Sequence, residues 1–138
     1  MASTYSAVKC ANCGRSAISD FYYKTDEEYI CCRRCGYHYS KTCKYDSANK
    51  KDYFEEVEHK GYGVISMVKK DGTRRMLLFN KKISSEDIEN NKKLLLAENV
   101  DQDKSYFVSF EEGVFTILFG NPSENYHLTF EEYKENNF

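Results

Sequence analysis

The chain has 138 residues, 41% of them hydrophobic and 30% charged, with a formal charge of −2. That is enough for one ordinary domain, or for a small metal-stapled module beside a compact core. No apolar run reaches the roughly 18 residues that a membrane-spanning helix needs, so no membrane partner is expected. Charge is unevenly placed: residues 5–51 hold nine Lys/Arg against five Asp/Glu, whereas residues 101–138 hold two against eight. The two ends therefore suit different partners, or each other.

The opening stretch MASTYSAVKC lacks the basic flank and apolar run of a signal peptide. The protein is expected to stay where it is made, in a reducing cytoplasm. Fifteen lysines against five arginines, ten asparagines and one proline are the composition of an AT-rich genome, a low-GC bacterium or its phage. Six cysteines could form three disulfides, but a reducing compartment and the paired spacing of four of them point to a metal instead.

Those four are Cys10, Cys13, Cys32 and Cys35: two Cys-x-x-Cys-Gly knuckles separated by 18 residues. This spacing is that of a four-thiolate zinc site, in which protein fills every coordination position. Each following glycine, Gly14 and Gly36, can take the positive φ that a knuckle requires. Between and after the knuckles, short strands are predicted over Ile18 to Lys24, Tyr29 to Cys32 and Tyr37 to Lys41. Only Cys32, not the adjacent Cys31, has the two-residue spacing to Cys35. Cys43 is read as a free thiol, with Cys35 and His38 as an alternative ligand set.

On these residues the segment from about 9 to 43 resembles a zinc ribbon, and its knuckles are similar to those of rubredoxin. Rubredoxin-type knuckles carry a proline after the first cysteine, whereas here Ala11 and Arg33 stand there, which favours zinc over iron. The resemblance implies one structural Zn2+ per chain and a part in binding nucleic acid, binding protein or bracing a larger machine.

Residues 46–60, DSANKKDYFEEVEHK, are dense in charge and read as a short linking helix. From Gly61 the patterning changes. Val64 to Val68 and Arg75 to Phe79 flank Asp71-Gly72, which predicts a hairpin with a two-residue turn. Ser84 and Asp87 form a capping box, with Ile83 and Ile88 as its hydrophobic staple. Ile88 and Leu95, with Leu94 and Leu96 beside them, give the helix an apolar stripe. A second unit follows: strands over Tyr106 to Phe110 and Val114 to Phe119 around Glu111-Glu112-Gly113, then a short helix capped by Thr129-x-x-Glu132. The predicted architecture is α+β. It comprises a zinc ribbon over residues 1–45, a linking helix over 46–60, and over 61–138 a small antiparallel sheet with its helices on one face.

Arg33, Arg34 and Tyr37, in and beside the second knuckle, are the candidate partner-binding residues. Guanidinium groups on phosphate and rings stacking on bases are what a single-strand-binding ribbon would use, with Tyr22, Tyr23, Tyr29 and Tyr39 nearby. Equally, the tyrosines could form a small core. Glu56-x-x-His59 has the spacing used by di-iron bundles, but a bundle needs two such pairs and two further carboxylates. His38, His59 and His127 have no nucleophile in recognisable spacing, and no phosphate-binding glycine loop is present, so neither catalysis nor a small-molecule substrate is expected.

Binding without catalysis is therefore expected, by a cytoplasmic accessory or regulatory protein that docks on a larger protein or nucleoprotein complex of the polymerase or nuclease type. Direct single-stranded nucleic-acid binding by the basic ribbon is the second reading. The third is a mobile-element-type inhibitor whose acidic C-terminal region, with Glu111, Glu112, Glu124, Glu131, Glu132 and Glu135, blocks a basic site on a host enzyme.

Overall fold

The computed structural model describes residues 3–137; Met1 and Ala2, part of the stretch read for a leader, and Phe138 lie outside the described residues. Five strands pair antiparallel in chain order: β1 (Ser3–Lys9), β2 (Ser16–Tyr22), β3 (Glu27–Cys31), β4 (His38–Asp46) and β5 (Lys51–His59). A second antiparallel sheet has the order β7-β6-β8-β9, from β6 (Gly63–Val68), β7 (Arg74–Phe79), β8 (Tyr106–Glu111) and β9 (Val114–Gly120). Helix α1 (Ser85–Leu95) follows β7, and a 3-10 turn (Glu124–His127) and α2 (Phe130–Asn137) end the chain. The fold is α+β, as the patterning predicts. No helix among the described residues is long and apolar enough to cross a membrane.

The linking helix expected over 46–60 is instead a turn followed by β5. Asp46 closes the turn by accepting from the amides of Ala48 and Asn49, and nine consecutive residue pairs then join β5 to β4. A charge-dense segment has no strong local strand preference. Pairing decides it, with Lys41 opposite Glu56 and Lys44 bridged diagonally to Glu55. Strand β1, unforeseen in the sequence, forms the same way, through seven pairs with β2.

In the second sheet, alternation sends successive residues to opposite faces, and both faces are apolar. Val64 and Val108 pack with Tyr126 of the 3-10 turn, whereas Ile65 and Phe107 pack with Leu95 of α1. The helical segments thus cover opposite faces rather than one, because β6 and β8 have no polar side to leave in water. A register shift between Phe107 and Val108 bulges β9 at Leu118, so Leu118 and Phe119 both reach the α1 side.

The capping box at Ser84 forms as predicted, and Ile83 and Ile88 both pack against the Leu95 core. The buried stripe is Asn91 and Leu95, however, while Leu94 and Leu96 face solvent. Spacing by three and four from Ile88 reaches Asn91 and Leu95 and passes over the other two leucines. At Asp71-Gly72 the turn is longer than predicted. Lys69 pairs with Thr73 and accepts from the Gly72 amide, with Gly72 at φ 92°, the geometry of a three-residue loop with a bulged glycine. The two-residue turn occurs instead at Glu112-Gly113, both at positive φ.

The sheets meet along a seam built largely of main chain. The Gly63 amide donates to the Cys35 carbonyl (2.7 Å), and the Phe130 amide, at the start of α2, to that of Gly14 (3.1 Å). A Cβ on Gly61 would stand 2.3 Å from the Tyr37 nitrogen and 2.5 Å from the Cys35 oxygen, so only glycine permits this approach. Phe110 of β8 is buried among the cysteines, and Phe115 of β9 packs beside it.

Candidate metal centre

Two five-residue turns, each closed by a hydrogen bond from the fifth residue to the first, bring the cysteines together. In the first, the Gly14 amide donates to the Cys10 carbonyl (3.0 Å); in the second, Gly36 donates to Cys32 (3.0 Å). Gly14 and Gly36 take φ of 75° and 89°, the left-handed conformation their position demands. The first knuckle also aims amides at sulfur, Asn12 at Cys10 and Arg15 at Cys13, both 3.4 Å.

The four ligand atoms all lie within 4.8 Å of one another, and Cys10, Cys32 and Cys35 are buried. Sγ of Cys10 lies 3.6 Å from that of Cys35, and Sγ of Cys13 lies 3.7 Å from that of Cys32. A tetrahedral tetrathiolate centre with metal–sulfur bonds of about 2.3 Å has edges of about 3.8 Å, so the cluster fits a metal ion.

The electrostatics agree with that fit. The Cys13 and Cys35 thiols are pushed far above the ordinary thiol value, first by the hydrogen bond each shares with Cys10 and then by Cys32 and burial; Cys13 adds to the rise of Cys35, whereas Cys35 partly offsets that of Cys13. Cys10 is pulled down by hydrogen bonds from Cys13, Cys32 and Cys35. Cys32, although pushed up by Cys10, is drawn down overall by Cys13 and Cys35, so two thiolates can be held by their neighbours, but four need a cation among them.

A residue that sequence reading passes over completes the centre. The Asn12 side-chain amide donates to Cys35 Sγ (3.4 Å) and to the Gly61 carbonyl (2.9 Å), tying the first knuckle to both the second and the seam. Its place inside a Cys-x-x-Cys is the only sequence signal, and it is a weak one. Cys31, Cys43 and His38 stand outside the four-sulfur group, and burial raises the Cys31 thiol. The ring of His38 lies 6.2 Å from that of His59, its cross-strand neighbour. Because β5 is a strand, Glu56 and His59 point to opposite faces and form no i, i+3 ligand pair.

The three residues nominated for partner contact are placed very differently. Arg33 is exposed. Arg34 is turned inward: it donates from Nη1 to the Ser16 carbonyl (2.7 Å), from Nε to Tyr126 (3.1 Å) and from Nη2 to Asn125 (3.3 Å), and it lies over the Tyr133 ring. The Tyr126 hydroxyl donates back to the Arg34 carbonyl. Tyr37 is only 6% exposed, and its hydroxyl donates to Glu58 (2.6 Å). Tyr37, which stands between the second knuckle and β4, is packed in the core with the cysteines. Of the acidic C-terminal residues, Glu111 pairs with Lys82, Glu131 pairs with Lys9, and Glu132 accepts from the Thr129 amide.

Compared with protein-family models, with curated proteins and with solved structures, the chain finds no match.

Proposed function

We infer that the chain is a non-catalytic accessory or regulatory protein, braced by one structural zinc ion, that docks on a larger nucleic-acid-handling protein of the polymerase or nuclease type. Zinc is favoured by the all-thiolate tetrahedral donor set and by Ala11 and Arg33 standing where rubredoxin-type iron knuckles carry proline. With Cys10, Cys13, Cys32 and Cys35 filling all four positions, zinc would supply folding free energy and would have no open position for water.

The observation that carries the docking reading is the outer half of the β4–β5 hairpin. Pairing of β3 with β4 ends at Lys41, so beyond it β4 and β5 pair only with each other, out to Asp46 and Lys51. A bare two-stranded ribbon is marginal in water. This one exposes Tyr45 by 62%, Tyr53 by 45% and Phe54 by 45%, and β5 is an open edge. From Lys41 to Lys60 there are five lysines and five carboxylates; this balance suits a protein surface better than a phosphate backbone. The nucleic-acid setting rests on the resemblance to zinc ribbons.

The test is affinity purification from the source organism with the full chain and with the triple variant Tyr45→Ser, Tyr53→Ser, Phe54→Ser, together with elemental analysis. One zinc per chain is expected, with a polymerase- or nuclease-type protein retained by the unaltered chain and lost with the variant. Iron, or equal retention by both, overturns the reading.

A further inference from the structure

On the other side of the molecule a groove of about 730 Å³ opens at the seam between the sheets, within the roughly 300–1,000 Å³ of small-ligand sites. Its lining holds four cations, Arg33, Arg34, Arg74 and Lys134, and no carboxylate. In a chain of net charge −2, that is a strong segregation of sign. Helix α2 makes it plain: it carries Glu131, Glu132 and Glu135, yet turns Phe130, Tyr133 and Lys134 to the groove.

The cations arrive from separate elements, the second knuckle, β7 and α2, and converge. Arg74, Arg34 and Arg33 all act on the half-buried phenol of Tyr106, adding to Ser66 in offsetting part of the rise that burial imposes on it. Arg34 is held rigid by its three carbonyl acceptors. Arg33 and Arg74 are exposed and, among the described residues, form no ion pair. Aromatic faces flank these charges: Tyr5, 65% exposed, on the β1 side, and Phe130 and Tyr133 on the α2 side. Guanidinium groups that reach phosphate beside rings that accept a stacked base are the recognition chemistry of single-stranded nucleic acid and of nucleotides.

We propose that this groove binds a phosphate-bearing nucleobase, with Arg33 and Arg74 on the phosphate and the base stacked among Tyr5, Phe130 and Tyr133. The ligand is a free mononucleotide or the phosphorylated end of a single strand. The site is independent of the hairpin, so either assignment can fail while the other stands.

The experiment uses the full, metal-loaded chain. Fluorescence anisotropy with a 5′-phosphorylated, 3′-labelled oligothymidylate at two salt concentrations reads strand binding, and competition with AMP, with TMP and with inorganic phosphate separates the sources. We expect Arg33→Ala, Arg74→Ala to weaken binding at least tenfold and to flatten the salt dependence by about 1.4 in log–log slope, two contacts at about 0.7 each. Tyr5→Ala should weaken binding several-fold, and Lys50→Ala, Lys51→Ala, at the hairpin turn, should leave it unchanged. Competition by the mononucleotides assigns a nucleotide site; binding of the oligonucleotide without such competition assigns a strand end. No binding by any probe at 1 mM, inorganic phosphate competing as well as the nucleotides, or equal binding by the double-arginine variant overturns the proposal. Circular dichroism of each variant confirms that it remains folded.

Discussion

The four-stranded sheet buries side chains on both faces, Val64 and Val108 toward Tyr126 and Ile65 and Phe107 toward Leu95. The five-stranded sheet is longer and much barer. Its buried apolar set is gathered at one end, where Cys10, Ala17, Cys32, Cys35 and Tyr37 meet Phe110 from the other sheet, and its far end exposes Tyr23, Tyr45 and Tyr53. Three of these buried core residues are thiols placed as metal ligands. Strand pairing alone thus accounts for the shape of this sheet but not for its stability. Where hydrophobic burial is thin, a metal ion held by the four cysteines would supply what side chains do not, whereas the other sheet draws on ordinary apolar burial.

The largest expected effect comes from breaking the metal site. Cys32→Ser should abolish a binding free energy on the order of 10 kcal/mol and unfold the five-stranded sheet. Native-state hydrogen exchange should then show free exchange from β1 to β5 and retained protection at Ile65, Leu95 and Phe107. Loss of protection on both sides would break the comparison, because it would mean that the second sheet also needs the cysteine cluster as cover for Phe110.

A smaller effect tests the seam. Gly61→Ala places a methyl group against the main-chain atoms of Cys35, Gly36 and Tyr37, and such overpacking costs about 1–3 kcal/mol. Thermal unfolding should fall accordingly, with the metal retained. A variant as stable as the parent would show that the sheets can separate without cost.

Smallest is Ser84→Ala, which removes the hydroxyl half of the capping box at α1 and leaves the backbone amide of residue 84 to Asp87. About 1 kcal/mol should be lost, confined to the four-stranded sheet and its helix. Metal content and the β4–β5 hairpin signals in an NMR spectrum should not move; if they do, the two regions are more tightly coupled than their separate cores imply.

What is legible in the sequence follows the range of the interactions. The knuckles, both capping boxes and the strands around Gly113 are written in residues two to six positions apart, and local chemistry decides them. β5 reads wrongly as a helix because its strand character lies in the nine pairs with β4 rather than in its own charge-rich composition. The same holds for Arg34, whose acceptors at Asn125 and Tyr126 are about ninety positions away. Tyr37 shows the limit within a site. The knuckle's spacing locates the sulfurs, but which neighbouring ring covers them depends on the path by which the chain leaves the second knuckle for β4.

The five-stranded sheet also bears on the order of assembly. Each of its strands pairs with its neighbours in the chain, so its contacts close short loops, and topologies of that kind form fast. The clasp between Arg34 and Tyr126 spans 92 residues, and Gly14 waits for Phe130. During synthesis the metal site can therefore close while the C-terminal half is still being made. The cationic groove, lined by β1, β2, the second knuckle, β7, β8 and α2, takes shape only when the last of these arrives, so a chain stopped short of α2 would hold the four cysteines together but lack a wall of the groove.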